Sequence, residues 1–296
     1  VLASGFGIVI VFFLSAFFSS AQQASFFGTM FDIGSFWSIV AFFILMLVSS
    51  VFIKTNEKAG KVLFGLIVSS AVALLFQVFH LFYPGVSTLG VLASKTENLL
   101  GSWNSFAIFS GLFTIISLFV IEFFPISKLH KIILSVLILL SVFMIAAVNS
   151  SLAWALLGAF SLLIFIYKVS LSFHQNKESG SSINFPIVSF IFIIIPLLFF
   201  MSGQMIGSFI PNRLGLSNAE VSPSFSATMS VAKGAIMKDP VLGIGPNRFA
   251  DIWSMYKPIG INNTPFWDTR FDFGSGLLPT LAATTGILGI LSLLAF

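Results

Sequence analysis

Long apolar runs alternate with short polar connections along most of the chain. A spanning helix needs ~20 mostly apolar residues, and eight runs come near that length: 2–18, 36–53, 62–83, 106–124, 132–148, 152–167, 185–201 and 277–296. Their number and order predict an all-α, polytopic transmembrane helical bundle with about eight spans. The first run has neither a basic start nor a small-residue cleavage site, which favours a spanning helix over a signal peptide.

The lysines of the short connections orient this bundle. Seven of them follow the second, fourth and sixth runs, namely Lys54, Lys58, Lys61, Lys128, Lys131, Lys168 and Lys177. The connections after the first, third and fifth runs contain Lys95 alone. Because Lys and Arg are enriched in cytoplasmic connections, this split predicts a cytoplasmic N-terminus. It also predicts that residues 202–276 lie on the external or periplasmic side of the cytoplasmic (inner) membrane.

Residues 202–276 are the longest polar segment, and they contain aromatic anchors that a disordered linker would lack. These anchors are Trp253, Tyr256, Phe266, Trp267, Phe271 and Phe273. We therefore predict one integral membrane domain over residues 1–296, with seven spans in 1–201, an ordered external loop at 202–276 and a last span at 277–296. The chain starts at Val1 and stops inside an apolar run, so we expect a truncated last span and further helices beyond this sequence.

The external loop contains one amphipathic helix by pattern, over residues 223–238. Its apolar positions Phe225, Met229, Ala232 and Ile236 recur at spacings of four, three and four residues, which is the period of a helix face. Ser222 or Ser224 can cap its start, and the prolines at positions 223 and 240 match the usual start and stop signals. We expect the apolar stripe to rest on membrane helices.

Composition supports lipid as the main solvent of this chain. Hydrophobic residues make up 57% and charged residues 8%, with a mean hydropathy of +1.06, so too few charges are present to cover a water-exposed surface. The chain has no Cys, which excludes disulfides and thiolate chemistry. The net charge of +4 is small, and no nucleic-acid partner follows from it.

Two motifs follow the amphipathic helix. The first is PVLGIGPNRF at residues 240–249, and the second is GSGLLPTLAATTGILG at residues 274–289, which runs into the last span. Gly243, Gly245 and Pro246 predict a tight turn rather than a nucleotide-binding loop, because no lysine-serine signature follows them.

Together these motifs resemble the C-terminal part of the O-antigen ligase and O-antigen polymerase family of integral membrane proteins. That family has a PLLGxGxxxF-like element, a variable segment and a glycine-containing start of a late helix, all in a large external loop. The resemblance covers roughly residue 213 to the end. It implies a metal-independent glycosyltransferase that uses no cofactor and moves a glycan from a polyprenyl diphosphate carrier to an acceptor at the external membrane face. The implied partners are membrane lipids, the lipid-linked glycan and the acceptor.

The implied chemistry needs cations on the diphosphate, because negative charge develops there as the carrier leaves. Guanidinium groups match phosphate oxygens especially well. The candidate substrate-binding residues are Arg213, Arg248, Arg270 and Lys233.

The implied chemistry also needs a base near the acceptor hydroxyl. In ligases of the family a loop histidine just before the last helix is associated with this role, but here Gly274 or Ser275 stands near that place and the loop has no His. An arginine that the family often has before the amphipathic helix is also replaced, with Ser222 near its position. Asp268 and Asp272 are the candidate catalytic bases, since carboxylates beside a cation are a plausible substitute.

Several candidates have structural alternatives. Arg248 could snorkel to the headgroup boundary beside Phe249, and the same applies to Arg213. Arg270 could form a local ion-pair cluster with its flanking aspartates. The start of the amphipathic helix could bind a phosphate or be an ordinary capped end.

Polar residues inside the predicted spans have alternatives as well. Gln77 and Glu122 lie within apolar runs, where such residues are often functional, although Glu122 is close enough to the cytoplasmic end to be solvated there. His80 could approach the loop or be structural. A non-catalytic or transport protein that binds a lipid-linked substrate is the alternative function, although paired broken spans with intramembrane charges, typical of transporters, are absent from the sequence pattern.

Overall fold

The structure is a computed structural model that describes residues 1–28, 32–84, 97–179, 185–202, 204–216 and 223–296. These residues form α-helices and one 3₁₀ helix, and no β-strand occurs among them, so the all-α prediction is confirmed. The helices are α1 (Leu2–Phe17), α2 (Gln22–Phe27), α3 (Phe36–Phe52), α4 (Asn56–Phe82), α5 (Trp103–Phe123), α6 (Lys128–Val148), α7 (Ser151–Ser179), α8 (Ile187–Ser202), α9 (Gln204–Gly207), α10 (Phe209–Leu214), α11 (Phe225–Lys238), α12 (Phe249–Tyr256), the 3₁₀ helix η1 (Ile259–Asn263) and α13 (Leu277–Ala295).

Each of the eight predicted apolar runs coincides with a helix. Within the described residues, five helices are long and apolar enough to cross a membrane: α4, α5, α6, α7 over Ser151–Phe173, and α13. The other three, α1, α3 and α8, are apolar but have only 16, 17 and 16 residues. The chain is therefore a helical membrane protein, while the count of about eight spans stays a prediction.

The chain divides into two compact units. The first unit is Val1–Lys58 with Val221–Phe296, and the second unit is Ala59–Glu220. Thus most of the segment predicted as an external loop folds in one unit with the first three helices and the last one.

The second unit packs α5 against α6 and α7, and α7 against α8. Its core buries large side chains such as Phe106, Ile145, Trp154 and Leu157. The chain folds these helices together because each has an apolar side that only another helix or lipid can cover.

An ion pair joins three helices of the second unit. The Glu122 carboxylate on α5 accepts a hydrogen bond from the Ser189 hydroxyl on α8 at 3.1 Å and lies 3.9 Å from the Lys168 ammonium on α7. Lys168 also donates to the backbone carbonyl of Glu122. The carboxylate is shielded, with its side chain 10% exposed, and its charge is balanced by Lys168 within the unit.

Gln77 and His80 lie fully buried on α4. The Gln77 amide donates to the carbonyl of Glu97 at 3.3 Å and accepts from the backbone N–H of Leu99 at 3.1 Å, so it fixes the chain that follows. The His80 ring stacks parallel to Phe76 with 6.2 Å between ring centroids. This packing favours the structural interpretation of both residues.

In the first unit, α1 packs against α3 and α13, and α11 packs against α12 and α13. The predicted start of α11 is confirmed, because the Ser224 hydroxyl accepts a hydrogen bond from the N–H of Ala227 at 3.1 Å. This first turn is therefore an ordinary capped end, which satisfies a backbone donor that would otherwise have no partner.

The predicted apolar stripe of α11 is only partly the buried face. Phe225 and Met229 are 62% and 46% exposed, whereas the buried positions are Ala227, Thr228, Val231, Ala232 and Ala235. The four apolar side chains of this set pack with Ala282 and Ala283 of α13. Small residues occupy the buried face of α11 because they let two helix backbones approach closely, as is common between membrane helices.

Candidate functional site

A turn at residues 240–245 fills a break in the last helix. Gly286 has φ 66° and ψ −162° inside α13, which interrupts the helical hydrogen bonds. The turn replaces them: the N–H groups of Ile287 and Leu288 donate to the carbonyls of Pro240 and Val241 at 3.0 and 3.2 Å. In return, the N–H of Gly245 donates to the carbonyl of Thr284 at 2.8 Å.

The predicted turn at Gly243, Gly245 and Pro246 is therefore confirmed, and it has a tertiary partner. An interrupted spanning helix is tolerated when its freed backbone groups are satisfied by surrounding protein. The sequence pattern gave no sign of this interruption. The turn also receives hydrogen bonds from α1, since the Ser15 hydroxyl donates to the carbonyl of Leu242 at 2.6 Å.

Arg248 follows this turn directly and is held inside the first unit. It is 8% exposed, so the snorkelling alternative is wrong for this residue. Its Nη1 donates to the hydroxyls of Ser19 and Ser20 at 3.2 and 2.7 Å and to the carbonyl of Ile244 at 3.3 Å. The Ser19 hydroxyl in turn donates to that same carbonyl at 2.9 Å.

A single carboxylate joins Arg248 to Arg270. Arg248 Nε lies 3.0 Å from Asp251 Oδ2, and Arg270 Nη2 lies 3.4 Å from Asp251 Oδ1. Within the described residues, the bonds of Arg248 use Nε and Nη1 and leave Nη2 without a partner. We call Arg248, Asp251 and Arg270 the arginine pair site. Two guanidinium groups on one carboxylate leave a net positive charge and an unused donor.

The loop just before Arg248 is anchored to the segment after α2. The Asn247 side chain donates from Nδ2 to Asp32 Oδ2 at 2.7 Å. Asn247 has φ 60°, a left-handed conformation that asparagine adopts more readily than most residues. Together with Ser19 and Ser20, which follow α1, this contact fixes the direction from which Arg248 leaves the turn.

The predicted site residues do not all meet. Arg248 and Arg270 come together, as described, in the first unit. Asp268 and Asp272 are exposed on either side of Arg270, and within the described residues neither makes an ion pair, so the predicted local cluster is wrong. Its place is taken by Asp251.

The other two predicted cations lie apart from that pairing. Lys233 is exposed on α11, where it lines an open, mostly apolar groove of about 970 Å³ with Phe225, Met229 and residues of α13. Arg213 belongs to the second unit, at the end of α10, with its guanidinium carbon 5.8 Å from the ring centroid of Phe209.

Sequence reasoning missed three contributors to the site: Ser19, Ser20 and Asp251. Asp251 stands three residues after Arg248 at the start of α12, a spacing at which side chains on a helix meet, so this signal was available. The serines end an apolar run, and their role depends on a turn more than 200 residues later. Among the described residues, no three His, Asp or Glu side chains are grouped closely enough to hold a metal ion.

No protein-family model, curated protein or solved structure matches the chain.

Proposed function

We propose that this protein transfers a glycan from a polyprenyl diphosphate carrier to an acceptor hydroxyl at the external face of the cytoplasmic membrane. The proposal includes about eight spans and an external position for residues 202–276. It places the chain with the O-antigen ligases and polymerases, which its PVLGIGPNRF segment resembles. The observation that carries it is the arginine pair site, in which that segment supplies a buried guanidinium.

The site suits the charge that such a transfer develops. The acceptor oxygen bonds to the anomeric carbon, the bond from that carbon to the diphosphate oxygen breaks, and the acceptor proton passes to a base. The departing diphosphate gains negative charge, which preorganised cations stabilise without further rearrangement. Arg248 is fixed by hydroxyls and a carbonyl. The Arg270 side chain is 68% exposed, which gives it room to move with the departing diphosphate. Asp268 and Asp272 are the proposed bases.

The proposal is tested with purified protein in lipid nanodiscs, a polyprenyl-diphosphate-linked glycan and an acceptor, by measuring released polyprenyl diphosphate. We expect Arg248→Lys and Arg270→Ala to lower the rate on the order of 10²-fold, the effect of removing one charge-stabilising donor. Arg248→Lys keeps the buried charge but loses the planar fork, which limits damage to folding. Lys238→Ala is the matched control, since Lys238 is an exposed cation of the same unit that makes no ion pair with any described residue. Equal rates in all three variants would refute the proposed role of the arginines.

A non-catalytic protein that binds the same lipid-linked glycan is the second candidate. The observation that favours it is the exposure of Asp268 and Asp272, for which the described part of the chain provides no side-chain hydrogen bond or ion pair to orient them as bases. The same nanodisc experiment separates the two candidates. Saturable binding of the lipid-linked glycan without release of polyprenyl diphosphate would establish the binder, and release that depends on the acceptor would exclude it.

A further inference from the structure

A small aromatic cavity in the first unit is lined by residues of α12 and of the loop that follows it. Its volume is about 170 Å³, and its walls include three aromatic rings and two hydroxyls, from Trp253, Phe266, Phe271, Ser224 and Thr264. A cavity of ~150 Å³ holds one six-membered ring. The space therefore fits a single ring. We call it the aromatic pocket.

The walls of the aromatic pocket are held in place before any ligand arrives. The Trp253 side chain is 1% exposed, and its indole N–H donates to the carbonyl of Thr269 at 3.2 Å. Phe271 meets it edge to face, with 5.0 Å between ring centroids and 87° between planes. Thr264 donates its hydroxyl to the carbonyl of Ile261 at 2.7 Å. Phe266 is 42% exposed, which leaves the pocket open on one side.

The polar atoms of the pocket retain hydrogen-bonding capacity. Ser224 accepts from the N–H of Ala227, and within the described residues its own hydroxyl proton has no acceptor. Thr264 accepts one weak bond, from the N–H of Phe266 at 3.3 Å, and its second lone pair is unused. The pocket wall therefore combines apolar rings with two hydroxyls that can each form one more hydrogen bond. Such a wall suits a ligand with C–H groups on its face and hydroxyls at its edge.

A pyranose ring has these properties. Its axial C–H bonds lie on an aromatic face, and its equatorial hydroxyls exchange hydrogen bonds at the rim. We propose that the aromatic pocket binds one pyranose ring of a glycan substrate. A lipid chain would leave the remaining hydrogen-bonding positions of Ser224 and Thr264 unused, whereas the hydroxyls of a sugar ring can use them.

The position of the pocket connects it to the diphosphate chemistry. The contacts of Asp251 with Arg270 and of Trp253 with Phe271 join the same two segments, α12 and residues 270–271. A sugar ring in the pocket would therefore be held by the same two segments that bring Arg248 and Arg270 together. This inference rests on the proposed function for the identity of its ligand.

The test measures binding of methyl pyranosides and of a lipid-free oligosaccharide to the nanodisc-embedded protein by saturation-transfer NMR. We expect saturable binding to the native protein and a loss of about five- to tenfold in affinity for Phe271→Leu, the range of one aromatic contact. Thr264→Val, which keeps the shape and removes the hydroxyl, should also weaken binding. Phe273→Leu is the matched control, since Phe273 is exposed in the same loop and does not line the pocket. It should bind like the native protein.

Two results would refute the proposal that the aromatic pocket binds a sugar ring. One is the absence of saturable binding to any of these saccharides, and the other is equal affinity in Phe271→Leu, Thr264→Val and Phe273→Leu. Release of polyprenyl diphosphate, measured on the same proteins, separates this failure from a failure of the proposed function. Release of polyprenyl diphosphate without saccharide binding at the pocket would refute only the proposed pocket. Saccharide binding at the pocket without release would support the pocket and refute the proposed glycan transfer. A change in the KM for the lipid-linked glycan or for the acceptor identifies which of them supplies the ring.

Discussion

Replacing Gly243 by alanine is expected to open the contact between the turn and the last helix. Gly243 has φ +65°, and a Cβ at this position would lie 2.6 Å from the backbone nitrogen of Gly286 and from the carbonyl carbon of Thr284. Both are backbone atoms, so no side-chain rotation relieves the overlap. The turn must retreat from the break in α13, and the hydrogen bonds that it supplies to Ile287 and Leu288 are lost.

The magnitude follows from two contributions. A left-handed conformation costs an L-residue roughly 1–2 kcal/mol, and each buried backbone group left without a partner costs about 1–3 kcal/mol. The low ends of both ranges, with two N–H groups orphaned, give a total of about 3 kcal/mol. Because 1.4 kcal/mol is a factor of ten in an equilibrium constant, local opening should become roughly 10²-fold more frequent.

Amide hydrogen exchange at Ile287 and Leu288 measures this opening directly. Gly260→Ala is the control, because a Cβ at Gly260 meets open space and the backbone there is not left-handed. We expect roughly 10²-fold faster exchange of the two amides in Gly243→Ala and native exchange in Gly260→Ala. Exchange at the native rate in both variants would show that the break in α13 does not depend on the turn.

Three further predictions concern single side chains. Ser224→Ala should destabilise α11 by ~1 kcal/mol through loss of its cap, whereas Ser230→Ala on the exposed middle of that helix should not; equal thermal unfolding would contradict the cap. Lys168→Met should destabilise the second unit by about 1–3 kcal/mol, because the shielded Glu122 carboxylate loses its cation; chemical unfolding of that variant at native stability would refute it. Asp251→Asn should tighten binding of inorganic pyrophosphate about two- to fivefold, since a competing carboxylate charge is removed; weaker binding by calorimetry would mean that Asp251 positions the arginines rather than competing for them.

Local sequence features predicted the helices well. A run of ~20 apolar residues has few ways to satisfy its backbone in lipid other than a helix, and all eight runs are helical. The same locality explains the successful prediction of the cap at Ser224 and of the turn at Gly243, because both depend on residues within a few positions.

Features that depend on distant partners could not be predicted in this way. The buried face of α11 is set by the small residues of α13, so the bulky pair Phe225 and Met229 stays exposed. The break at Gly286 requires a turn more than 40 residues earlier to satisfy it, as the bond from Ile287 to Pro240 shows. Similarly, Arg270 pairs with Asp251 rather than with its sequence neighbours.

The PVLGIGPNRF segment joins an observed structural role to the proposed chemical one. Its first half satisfies the broken helix through backbone groups, and its last residues present Arg248. The two halves are linked by the Ile244 carbonyl, which accepts from both Ser19 and Arg248. A buried guanidinium is costly unless it is paired and hydrogen-bonded, and here Asp251 and the serines supply those partners. Any movement of the turn therefore moves the cation, so the geometry at the break in α13 sets the position of the Arg248 guanidinium in the proposed diphosphate site.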